Sequence, residues 1–163
     1  MMKPLAYPFQ PKSTALLVPG QFWPIELKSG RFACGRVLQV ADRYGKRHSR
    51  MFFGGLMDWT DDAPPTSERL AGRRLGRVGQ MHIKTITHSG AEIAGCRELA
   101  KDGIVLPAML SGSPEDPNCA LVCGLDIVGL PSGEQRTPLE TISTWGSGVL
   151  NILAEERFGT STS

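Results

Sequence analysis

The sequence predicts an α+β protein: a predominantly antiparallel sheet or small half-open barrel, with a short middle helix and a C-terminal helix. Three observations carry this. Residues 19–62 contain three apolar runs separated by two turn signals. The chain holds 19 Gly and 12 Pro in 163 residues, which favours a turn-rich, strand-rich fold over a helical bundle. Near the end, the apolar residues change to helical spacing.

The first strand is expected over 21–27, because Trp23, Ile25 and Leu27 share a face at period two. Lys28-Ser29-Gly30 is a turn, with Gly30 supplying the positive φ of a tight hairpin. The second strand spans 32–40. A polar turn at 42–46 leads to a third strand over 50–57, broken by Gly54-Gly55. Two consecutive hairpins make a meander, a minimal unit for a sheet core. Residues 58–65, DWTDDAPP, read as an acidic loop ending in prolines. Thr66 is a natural N-cap for one or two helical turns over 66–71, ended by Gly72. A strand is expected over 80–87, a turn at 88–90 and a partner strand over 91–96. Residues 104–110, with Pro107 inside, suit an edge or a covering segment. A loop follows over 111–118. Residues 119–130 are the most apolar stretch and read as a buried strand bent at Gly124. A polar loop covers 131–138. Val149, Leu150, Leu153, Ala154 and Phe158 then mark a helix over 148–158, with Gly159 as its C-cap.

Length and composition suggest one domain over 19–163, preceded by a loosely held arm over 1–18. Pro4, Pro8 and Pro11 interrupt that arm, so it lacks the apolar run of a secretory signal. No stretch approaches the length of a membrane helix. A cytoplasmic location is expected. Cys34, Cys96, Cys119 and Cys123 have no C-x-x-C spacing and read as small hydrophobes.

Phosphate-loop, dinucleotide, zinc-protease and serine-hydrolase motifs are missing from the chain. His48, His82 and His88 have no established ligand spacing. Asp58, Asp61 and Asp62 lack the alternation and the distant Glu of a calcium loop. Neither a cofactor nor a metal is expected, and no catalytic residue is assigned. Two basic groups stand out: Arg43, Lys46, Arg47, His48 and Arg50, then Arg69, Arg73, Arg74 and Arg77. Their surfaces could meet phosphates, or they are a charged turn and a charged helix face beside acidic partners. Trp59 sits among acids before two prolines. It is either an anchor for a protein contact or a ring folded back onto the sheet.

Gly20, Phe22, Ile25, Leu27, Gly30, Phe32, Gly35, Arg36 and Val37 resemble the opening of immunity protein family 26. These are bacterial proteins encoded beside polymorphic toxins. The likeness continues weakly through Phe52-Phe53, Pro64-Pro65, residues 93–96 and residues 153–158. It implies a β-rich α+β fold and a non-catalytic protein whose partner is a cognate toxin domain, bound so that its active site is occluded. The rival reading is a small nucleic-acid-binding barrel that uses the Arg groups; an enzyme comes last. Under the first reading the expected contact surface is the acidic loop with Asp58, Trp59, Asp61 and Asp62, and with Arg50 and Phe53 at its rim. An acidic loop can occupy a basic nuclease cleft as a phosphate mimic. Pro64-Pro65 would limit the entropy lost on binding. An acidic toxin would point instead to the Arg groups.

Overall fold

The computed structural model describes residues 5–88, 90–136 and 138–159. Residues 1–4 of the expected arm, Ser89 of the expected turn and Thr137 of the polar loop lie outside that set. Strands β1 (Gln21–Glu26), β2 (Phe32–Gln39) and β3 (Met51–Asp61) form the expected meander. Gly30 has φ +86 in the first turn, as that turn requires. Strand β4 (Leu75–His82) adds antiparallel to β3, and β5 (Gly95–Cys96) to β1. Strand β9 (Thr144–Trp145) pairs parallel with β4. The six-stranded sheet runs β5-β1-β2-β3-β4-β9. A second, antiparallel sheet runs β6 (Ala108–Ser111), β7 (Ala120–Cys123) and β8 (Asp126–Gly129). The protein is therefore α+β with two sheets and no closed barrel.

Side-chain alternation makes the large sheet apolar on both faces. Trp23, Ile25, Ala33, Val37, Phe52 and Leu56 point to one side. There they meet Leu17, helix α2 (Lys84–Thr87) through Ile86, and helix α3 (Val149–Phe158) through Leu150 and Ala154. Their sequence neighbours Phe22, Cys34, Leu38, Phe53 and Met57 point to the other side. That side is covered by Leu70 of helix α1 (Ser67–Leu70) and by Met109 and Val122 of the small sheet. Thr66 caps α1 as expected, its hydroxyl accepting from Arg69 N at 3.1 Å.

Several expectations change. The acidic segment is not a loop: β3 continues to Asp61, and Ala33 and Phe32 of β2 pair with Thr60 and Asp61. Trp59 packs with Phe22, Cys34, Met57 and Leu70, so burial of its ring holds the strand pattern through the acids. Segment 80–87 is not one strand. Strand β4 starts earlier and yields to α2, where Ile83 and Ile86 are buried at helical spacing. Gly76 and Gly79 disguised the strand. A Cβ would lie 2.8 Å from Leu56 O at the first and 2.9 Å from the Trp145 ring at the second. Segment 91–96 pairs with β1 and, through Ile93, with Phe9, rather than with β4. Residues 119–130 are a hairpin, since Gly124 at φ +62 reverses the chain instead of bending it. In that hairpin Ile127 and Val128 are exposed. Nor is the segment before Pro19 a loose arm from residue 5 on: Thr14 and Leu17 are fully buried, and Phe9 bridges Ile93.

Candidate functional site

The six residues expected to form a contact surface do not form one. Phe53 is 0% exposed and Trp59 4%, because the small sheet and α1 cover the face they occupy. Neither can anchor a partner without unfolding that cover. Arg50 precedes the first residue of β3 and Asp61 is its last. Eleven residue steps along the strand separate them by roughly 36 Å. Asp58 and Asp62 are exposed and Asp61 is half-buried. Each carboxylate already has a cation: Asp58 with Arg157 at 3.1 Å, Asp61 with Arg69 at 3.0 Å, Asp62 with Arg31 at 2.8 Å. The Asp62 backbone N–H, then that of Ala63 and the Arg69 side chain, hold the Asp61 carboxyl below its usual range against a smaller effect of burial. Three neutralised acids make a poor phosphate mimic.

The two basic groups separate in the same way. Arg47 donates to the carbonyls of Thr14, Ala15 and Leu17, and Arg50 to that of Lys12. His48 Nδ1 accepts from the backbone of Arg50 and Met51, at 3.0 and 3.1 Å. Arg43 lies over the Tyr44 ring and donates to Ile127 O at 3.2 Å. This group fastens the N-terminal segment and the β8 edge. In the second group Arg69 is paired. Arg73, Arg74 and Arg77 are exposed, with no side-chain partner among the described residues.

Residues of the family-like opening serve the architecture. Gly20 has φ +99, and a Cβ there would fall 2.5 Å from Arg97 O. That close approach lets Gly20 O accept from Arg36 Nε at 2.9 Å and from Arg97 N at 3.0 Å. Arg36 is fully buried and also donates to Arg97 O. Burial pushes its guanidinium pKa down. Arg97 in turn forks onto Asp102 at 2.8 and 2.9 Å. Its hydrogen bonds, with that from Gly72 N, hold the Asp102 carboxyl down at about 2. The network ties β2 to the segment that begins the small sheet. Cys34 lies in the same layer, its thiol pushed up to about 12 by burial, which makes it chemically inert.

A cleft opens beside the outer edge of β4. Strand β9 covers the outer edge of β4 only at Gln80 and Met81. Just before β9, residues 140–142 leave β4 and join the small sheet instead. Leu110 N donates to Glu140 O at 2.9 Å, and Ile142 N to Leu110 O at 2.7 Å. The two sheets part at this point and leave a cleft of about 720 Å³. Residues 75–78 of β4 form its inner edge, with no strand on their outer side among the described residues. Met109 and Leu139 line one wall, Leu153 and Phe158 of α3 the other. Arg74 and Arg77 stand on the β4 lip, Glu140 and Glu156 on the opposite ones. All four are exposed and have no side-chain partner among the described residues. The Asp58–Arg157 pair closes one end by joining β3 to α3.

The sequence marks Arg74 and Arg77 but not the cleft, whose lining comes from five separate segments spread between residues 56 and 158. Among the described residues no group of three His, Cys, Asp or Glu side chains is placed to hold a metal ion. No helix of the described residues is long and apolar enough to cross a membrane. Comparison with protein-family models, curated proteins and solved structures finds no match for this chain.

Proposed function

We propose that this chain is an immunity-type protein that binds a cognate toxin domain in the cytoplasm of the producing cell and blocks its active site. The observation that carries the reading is the cleft. It combines an open strand edge, apolar walls and lips bearing unpaired charges of both signs. Such a surface suits a protein partner, because apolar walls supply buried anchors and charged lips supply orientation and fast association. The likeness of the first hairpin to immunity protein family 26 supplies the partner class. No catalytic step is assigned to the chain; neutralisation is steric. The test is co-expression with a toxin domain encoded beside its gene. Cells should survive with the chain and die without it. Death in both cases would refute the reading.

A second reading has one specific observation behind it. Arg73, Arg74 and Arg77 are exposed and have no acidic partner among the described residues, so they could meet phosphates. Nucleic-acid binding would show a log K against log salt slope near −0.9 per phosphate contacted on duplex DNA. The absence of such binding at physiological salt is expected.

A further inference from the structure

We propose that the cleft takes a short extended segment of a partner protein, which adds as a strand to the open edge of β4. The segment is apolar at its centre and bears a carboxylate against Arg77. This proposal rests on the protein-binding reading above and specifies how the partner is held.

A strand edge carries backbone donors and acceptors that seek another backbone. Exposed edges are normally short, charged or covered. Here residues 75–78, which carry a β-bulge against β3, offer roughly 13 Å of edge, enough for about four residues of an incoming strand. The incoming strand would be walled on both faces. Side chains alternate along it, so one set would meet Met109 and Leu139 and the next Leu153 and Phe158. Both sets must therefore be apolar. Strand addition of this kind draws affinity from main-chain hydrogen bonds and specificity from pockets for alternate side chains.

Charge selects the flanks. Arg74 and Arg77 on the β4 lip have no side-chain partner among the described residues, so an acidic residue there is favoured. Glu140 and Glu156 repel an acid on the facing lips. One acid at one flank is rewarded and acids elsewhere are penalised, which gives selectivity by attraction and repulsion together.

The test uses the full chain and a phage-displayed random peptide library, followed by titration of synthetic selected peptides. The peptides should share an apolar centre with one flanking Asp or Glu. N-methylation of the peptide backbone should abolish binding at alternate residues and spare those between them. Arg77→Glu should weaken binding about tenfold or more, and peptides with Lys in place of the acid should recover it. Lys46→Glu, a remote exposed charge, should change nothing. The proposal is overturned if no selected peptide depends on Arg77, or if N-methylation has no period-two pattern. It is also overturned if sedimentation shows the chain pairing with a second copy through this cleft. The two readings fail separately. Peptide binding without protection from any toxin removes the immunity reading and leaves the strand site. Protection that survives Arg77→Glu, with no cleft-dependent peptide, removes the strand site and leaves the immunity reading.

Discussion

Gly35→Ala should destabilise the protein by about 2 kcal/mol, because one methyl has no room beneath Trp23. Gly35 lies directly opposite Trp23 in the β1–β2 pair. A Cβ there would sit 2.2 Å from both Cε2 and Cζ2 of the indole, whereas ordinary contact begins at 3.4 Å. The ring has little room to move, since the void beside it is only about 10 Å³. It is 1% exposed and meets Phe52 edge-on, with centroids 6.0 Å apart at 80°. Overpacking of this kind costs about 3 kcal/mol at the upper end of its usual range. Ala offsets up to about 1 kcal/mol of that, since Gly loses more backbone entropy on folding. With a urea m-value near 2 kcal/mol/M, the net figure moves the midpoint down by about 1 M. A double-mutant cycle isolates the cause. Trp23→Leu alone opens space and is destabilising, but in its presence Gly35→Ala should cost at least about 1 kcal/mol less than in the wild type. An unchanged midpoint, or strict additivity, would refute the packing of Trp23 on Gly35.

Trp59→Ala should cost about 3–5 kcal/mol of stability, read in the same urea titration, because its ring fills the cluster under α1; a folded variant of wild-type stability would restore Trp59 as a surface anchor. Arg36→Leu should lower Tm by about 4–8 °C, equivalent to roughly 2 kcal/mol, since Arg97 O loses its buried donor. Arg36→Lys should recover little of this, because an ammonium cannot span both carbonyls as the guanidinium fork does. Asp102 has a folded pKa of about 2 against an ordinary 3.8, so its ion pair contributes fully above pH 4 and fades as the pH falls toward 2. Asp102→Asn should lower stability at neutral pH by about 2 kcal/mol and flatten that part of the acid limb in pH-dependent unfolding.

The first two strands were legible because local and global preferences agree there. Trp23, Ile25 and Leu27 alternate onto one face, and Lys28-Ser29-Gly30 can only turn. Helix α3 was legible for the same reason, its apolar spacing matching the face it buries. The end of β3 was not. Asp58, Asp61 and Asp62 look solvated in sequence, but their neutralising partners are Arg157, Arg69 and Arg31, and two of those distances in sequence exceed 30 residues. Hydrophobic period two was still present in Met57 and Trp59, beneath the charges. Strand β4 was masked by Gly76 and Gly79, whose missing side chains read as turns but serve close approach. The hairpin at Gly124 was masked by apolar residues on both sides, which suggested burial that Ile127 does not have. The cleft left no local trace, since it exists only because residues 140–142 desert β4 for β6.

The most direct test of the central claim is titration calorimetry of the chain with the toxin domain encoded beside its gene. A one-to-one complex with Kd on the order of nanomolar is predicted. Arg77→Glu should weaken it about tenfold or more, while Asp62→Asn, which does not line the cleft, leaves it unchanged. No measurable heat of binding with a folded toxin domain, or an affinity indifferent to Arg77 and sensitive to Asp62, would contradict the account.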